Sequence, residues 1–160
     1  MLEQLSLLGQ IVSAIAVVAS LIFVGYQLKH ATSAIRLSSS QAHSALYTDL
    51  VQIVVADGEF ARIWTVALQD PRAIKEHEWA RFVAFVGAFF RLYASSWVQW
   101  LNGRLDEEHW RTIERQAGDF RQYPGVEMAW QLRRHWYSSE FQTWFEGLLT
   151  QNTAAPYAQL

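Results

Sequence analysis

One uncharged stretch stands apart from the rest of the chain. Leu5 to Leu28 reads LSLLGQIVSAIAVVASLIFVGYQL, 24 residues, mostly apolar and without a single charge. As a helix it measures about 36 Å, enough to cross a hydrocarbon core of about 30 Å with some tilt. A cleaved signal peptide is the rival reading. That would call for Lys or Arg ahead of a shorter apolar run, with small residues after it. Here only Glu3 precedes the run, and the small residues lie inside it. The pattern therefore predicts a transmembrane anchor over residues 1–28.

The anchor has two different sides. Gly9, Ser13, Ala16, Ser20 and Gln27 follow at steps of four, three, four and seven, which places them on one helical seam. Ile11, Ile15, Val18 and Ile22 fall on the other side. Small residues let a second helix approach closely, and Ser or Gln then hydrogen-bonds across the gap. The seam predicts contact with other integral membrane proteins. The plainer reading is that Gly, Ala and Ser are common in membrane helices.

Beyond the anchor the pattern is helical throughout. Between residues 31 and 56, Ile35, Ala42, Leu46, Leu50, Ile53 and Val54 recur at three- and four-residue steps. Nothing between Leu28 and Ala34 breaks the backbone, so the anchor is expected to run on into this helix, with Asp57-Gly58 as the first stop. A short helix over 59–68 ends at Asp70-Pro71, and a central one runs from about Lys75 to Leu101 with Asn102-Gly103 as its C-cap. Asp106, Glu107 and Glu108 open the next, where acids suit the positive end of a helix dipole. It stops at Tyr123-Pro124-Gly125. Two more helices follow, over 126–136 and, after Ser138 as N-cap, from 139 to about 150. The expected fold is all-α, with one transmembrane helix followed by a compact bundle of about five helices over 29–150 and a loose tail over 151–160.

Phe82 to Leu101 competes for membrane status, since its twenty residues carry one charge, Arg91. An arginine near the middle of a span costs about 2.5–3.5 kcal/mol on insertion scales, and Ser95, Ser96 and Gln99 add to that. Its aromatic residues are spread through it and not banded at its ends. A central helix covered by its neighbours accounts for the same composition.

Charge sets the expected orientation. No Lys or Arg precedes the span, whereas Lys29 and Arg36 follow it, which puts the C-terminal side in the cytoplasm and the N-terminus outside. Tyr26, Lys29, His30 and Arg36 are placed to meet the membrane surface and its headgroups. A net charge of −2 without a cationic stripe argues against nucleic acid as a partner. The absence of cysteine excludes disulfides and thiolate metal sites.

Candidate chemistry is sparse. Asp106 and His109 have a spacing similar to the Glu-x-x-His of di-iron bundles, but that architecture needs two such motifs and further glutamates, and no Glu-x-x-His occurs. In Glu76-His77-Glu78, neighbouring side chains point to different faces and do not chelate together. His30 at the membrane edge would suit a pigment metal or a headgroup, against the commoner solvated histidine. There is no nucleophile elbow or phosphate-cradling glycine loop. No catalytic, cofactor-binding or metal residue is assigned. Eight tryptophans are the least ordinary feature. Trp97 and Trp100, with Tyr93 one turn earlier, suggest an apolar-ligand or partner surface, or simply a small domain filling its core with large rings. Arg133-Arg134 suits either anionic headgroups or a solvated surface.

The segment GQIVSAIAVVASLIFVGYQLKHATSAIRLSSSQAH, and later FFRLYASSWVQWLNGRLDEEHW, resemble a large bacterial family of small proteins with an N-terminal anchor and a helical cytoplasmic domain. Lys29, His30, Ala31, Thr32 and Arg36 stand where that family has a polar stretch with recurring Asn-Thr and Arg; Ala31 departs from its common Asn. The resemblance implies a single-pass protein of the bacterial inner membrane and supplies no activity, cofactor or catalytic residue. The expected function is that of a non-catalytic accessory subunit of a larger membrane complex, respiratory or photosynthetic, held in the lipid bilayer among other integral membrane proteins. The alternative is a self-associating membrane sensor whose Trp-rich domain binds an apolar ligand or lipid.

Overall fold

The computed structural model describes residues 2–148, with side chains described at residue 10 and from 13 to 148. The tail over 151–160 lies outside the described residues. Six α-helices and one 3-10 turn make up the described chain, with no strand among them. The first helix, α1 (Leu2–Ala56), is unbroken. The sequence predicts an anchor followed by about five helices. The apolar N-terminal segment runs on into the next helix, as the unbroken stretch between Leu28 and Ala34 leads one to expect, and six helices are present among the described residues. The chain falls into two units, residues 1–38 and 39–160.

In the first unit, the residues described from Ser13 to Leu37 are all exposed. One described helix, spanning Ser13–Ala56, is long and apolar enough to cross a membrane.

The second unit is a helical bundle whose boundaries follow from local chemistry. Helix α2 (Gly58–Gln69) starts at Asp57, whose carboxylate accepts the Phe60 N–H at 3.0 Å and pairs with Arg81. Those two contacts, the backbone hydrogen bond first, hold the Asp57 carboxyl below the usual carboxylate range. Asp57→Ala is expected to cost about 1 kcal/mol in chemical denaturation, the usual loss of a helix cap. Little change would mean that the cap is redundant with the chain break. Helix α3 (Glu76–Leu101) ends one residue ahead of Asn102-Gly103, and Gly103 has φ +66°, the left-handed conformation that glycine accommodates freely. Helices α4 (Glu107–Arg121) and α6 (Ser139–Gly147) begin at Asp106 and Ser138, each accepting a backbone N–H three residues on.

One boundary differs from expectation. Tyr123-Pro124-Gly125 reads as a stop, yet Pro124 and Gly125 are the first residues of α5 (Pro124–Arg133). Proline suits the first helical position, where its missing N–H has no partner to lose. The same segment's end tightens into a 3-10 turn at Arg134–Trp136.

Helix α3 is the buried centre and not a second span. Phe82, Val86 and Phe90 are fully buried, and Arg91 is among its exposed positions. Helices α2, α4 and α5 pack on it, and α2 and α4 also meet α5. Gly125 makes the α2–α5 approach possible, because it is buried against the Ala67 carbonyl with no room for a Cβ. Between α4 and α5, the nearly buried Arg121 pairs with Glu127 at 2.9 Å and lies over the Phe145 ring. Burial lowers its pKa, and the charges of Glu127 and Glu146 oppose that.

The tryptophans mostly fill this core. Trp130 is fully buried and its indole N–H donates to Glu146 at 3.1 Å; Trp144 donates to Glu114. Trp100 stacks on Trp110 with planes 4° apart, and Trp97 meets Phe141 edge-on. Trp136 is the exposed one, 53% accessible, with Arg133 over its face.

The side of α1 that faces the bundle shares only Leu50 and Val54 with the apolar row of the sequence. Among residues 39–56 the half-buried or buried positions are Ser39, Ser40, His43, Tyr47, Leu50 and Val54. Ala42, Leu46 and Ile53 are exposed, Leu46 by 55%. The helix is rotated so that its inward edge is small and polar at Ser39, Ser40 and His43, where His43 bonds Ser96 of α3, and apolar at Tyr47, Leu50 and Val54.

Candidate functional site

A cavity of about 270 Å³ lies within the bundle unit. Each wall comes from a regular helical spacing. Helix α1 contributes Tyr47, Val51, Val54 and Val55; α2 contributes Trp64 and Leu68; α3 contributes Phe89 and Tyr93. Helix α4 adds Gln116, Asp119 and Phe120, at i, i+3 and i+4, and Tyr123 closes the set just before α5. The rings brace one another. Trp64 stacks near Phe120 at 5.9 Å and near Phe89 at 6.0 Å, and Tyr47 stands edge-on to Phe89. Among the described lining residues Asp119 carries the one formal charge. A mostly apolar hollow with a few polar groups at set places is the ordinary form of a small-molecule site.

A second polar cluster ties α1 to α3 and α4. The Ser96 hydroxyl donates to the Leu92 carbonyl at 2.9 Å, so its lone pair is left to accept from His43 Nδ1 at 2.7 Å. That assigns the proton to Nδ1 and leaves His43 Nε2 as a bare acceptor. The His109 ring meets His43 edge to face, with centroids 5.6 Å apart. His43 is 6% exposed, and its pKa is lowered to about 4, by burial first and by the neighbouring His109 second. It is therefore neutral at physiological pH. Although a Ser–His pair has the outline of a nucleophile and base, Ser96 is 1% exposed and its proton is committed to Leu92. Both residues are closed off from solvent. The pair acts as an interhelical latch.

The residues singled out in the sequence take the following places. Ser13, Ala16, Ser20 and Gln27 are exposed on α1, as are Ile15, Val18 and Ile22 opposite them. Gly9 is helical, and its surroundings lie outside the described residues. Tyr26, Lys29, His30 and Arg36 are exposed as well, with the Tyr26 and His30 rings edge to face at 4.3 Å. Asp106 serves as the cap of α4, accepting the His109 N–H at 2.8 Å, and does not face the His109 ring as a co-ligand would. Glu78 accepts the Lys75 N–H at 2.8 Å and pairs with Arg62; these hold its carboxyl below the usual range. Arg134 pairs with Glu146 at 3.2 Å. No group of three or more His, Asp or Glu suited to a metal ion occurs among the described residues.

Sequence reasoning missed His43, Ser96, Gln116 and Asp119. The available signal was that His43, Tyr47, Leu50 and Val54 follow at steps of four, three and four, a seam as regular as the apolar row beside it. No protein-family model matches the chain, and no curated protein or solved structure proves similar to it.

Proposed function

We propose that this chain is a non-catalytic accessory subunit of a larger assembly in the bacterial inner membrane. The observation that carries the reading is the extent of uncovered apolar surface on α1. Exposed large apolar residues recur from Ile15 through Phe23, Leu28, Ile35, Leu37 and Leu46 to Val55. A bilayer span uses about 20 residues. The stretch from Ile15 to Val55 is about twice that, so lipid covers only part of it and protein covers the rest. The seam of Gly9, Ser13, Ala16, Ser20 and Gln27 is the contact inside the bilayer. The polar stretch holding Lys29, His30 and Arg36 lies at the cytoplasmic surface, the N-terminus outside.

Gentle detergent extraction of native membranes, native-gel separation and mass spectrometry of the band test the reading. We expect migration in a large complex with partners in fixed ratio; migration alone or only with itself overturns it. Within that complex, Ser13→Leu and Ala16→Leu are expected to release the chain while Ile15→Leu leaves it bound. Equal behaviour of all three removes the seam.

A second reading, a self-associating membrane sensor whose helical domain binds an apolar ligand or lipid, is favoured by one observation, the aromatic cavity of about 270 Å³.

A further inference from the structure

We propose that the bundle itself makes a second, shallow contact with lipid: the outer face of α5 and of the 3-10 turn after it, carrying Met128, Leu132 and Trp136, docks on an anionic bilayer surface. The inference rests on the anchored reading above and adds the place where the domain meets the membrane. A contrast between helices comes first. The exposed positions of α2 are Gly58, Glu59, Arg62, Thr65 and Gln69, and those of α4 are Glu107, Glu108, Arg111, Thr112 and Arg115. Both are solvated faces without one large apolar residue. On α5 and its extension, Met128, Leu132 and Trp136 follow at steps of four and are 37%, 49% and 53% accessible. Behind them Val126, Ala129 and Trp130 fill the core. The segment is thus apolar on both sides, and this chain covers only the inner one.

Size bears on what covers the outer one. Three partly exposed side chains of these kinds offer on the order of 300 Å², whereas a stable protein interface buries about 800 Å² on each partner. A patch that small does not hold a free partner. It does suffice for a surface to which the chain is already tethered, since tethering supplies a high local concentration without any new contact.

Chemistry points the same way. From Met128 to Ser139 the chain carries Arg133, Arg134 and His135 and no acid. Arg134 is paired with Glu146 at 3.2 Å and is discounted. The Arg133 guanidinium lies over the Trp136 face, 4.4 Å from the ring centre. A guanidinium stacked in this way keeps its N–H donors in its own plane, free for phosphate oxygens. A tryptophan suits the boundary between headgroups and acyl chains, where its ring is in the apolar layer and its N–H meets water. Ring and cation are therefore presented together, as an anionic headgroup layer requires. Trp136 also stands apart from its own kind, because the other seven tryptophans are buried or half-buried.

No tryptophan lies in α1, so quenching of tryptophan emission by lipid reports on the bundle and not on the anchor. The full chain is reconstituted into phosphatidylcholine vesicles brominated on the acyl chains near the headgroup, with and without phosphatidylglycerol, and flotation records whether the vesicles hold it. We expect bromine to quench the emission on vesicles containing phosphatidylglycerol, and at least about twofold less on the neutral ones. Trp136→Phe is expected to remove at least about half of the quenching, and Leu132→Gln to weaken it. Equal quenching on the two vesicles, or in the unaltered chain and Trp136→Phe, overturns the proposal. If the chain floats and is not quenched, the face is solvated or belongs to a protein partner; the proposal fails and the anchored reading survives. If the chain does not float, both fail. The comparison of vesicles on the unaltered chain decides the matter even where a variant folds poorly.

Discussion

Gly125→Ala is expected to destabilise the bundle by about 3 kcal/mol, the upper end of what overpacking costs. A Cβ at this position would overlap the Ala67 carbonyl oxygen and lie 2.9 Å from its carbon. Both atoms belong to the α2 backbone, so no side chain can swing away. Helix α5 would have to retreat, loosening the fully buried Val126 and Trp130 behind it. Gly87→Ala provides the contrast. Gly87 sits in the interior of α3 with nothing within 4 Å of an added Cβ. There the substitution relieves the entropic cost of glycine and is expected to stabilise by about 0.5–1 kcal/mol. Denaturant titration of the full chain followed by tryptophan fluorescence compares the two, and similar midpoints would contradict the close approach of α2 and α5.

Stability is expected to fall by about 3 kcal/mol as pH drops from 6.5 to 4, through His43 alone. Its folded pKa of about 4 lies below the ordinary 6.5. As pH falls, the unfolded chain therefore takes up this proton first. The stabilisation is complete above the ordinary histidine value, declines through the window and is gone below the folded one. Within the window the loss is about 1.4 kcal/mol for each step of one in pH. The carboxyls of Asp57, Glu78 and Glu140 are all held below their usual range, so their losses come at lower pH. His43→Gln stays neutral at every pH and should flatten this part of the curve. An unchanged slope in the variant would assign the acid sensitivity to other groups.

Much of the architecture is legible in the sequence because it is decided locally. Asp57-Gly58, Asn102-Gly103 and Ser138 end or begin helices through their own backbone preferences and short side-chain hydrogen bonds, whatever lies nearby. The burial of α3 is largely legible too, since a long helix with one charge between Phe82 and Leu101 must bury most of its surface, although the row Ala84, Arg91, Ser95 and Val98 stays exposed. The inward side of α1 is not. Between 39 and 56 that helix is apolar on more than one side, so hydrophobicity does not choose between them. The choice falls to the shape of α3 and to Ser96, which His43 reaches from 53 residues away. Gly125 is similar: its composition says turn, and only the proximity of Ala67 shows a helix start. The cavity is least legible of all, because it exists only where four helices and the residue before α5 converge.

The rotation of α1 bears on how such chains would change by inheritance. On its inner edge, Ser39, Ser40 and His43 are constrained by the fold itself, and a bulky replacement there would be removed by selection for folding. On another side, the exposed Leu46 and Ile53 contribute little to the domain's own packing. Polar replacements there would leave a chain that folds normally. Their persistence across generations would measure what that side meets in the cell, so the record of accepted substitutions along one helix separates the demands of folding from those of association.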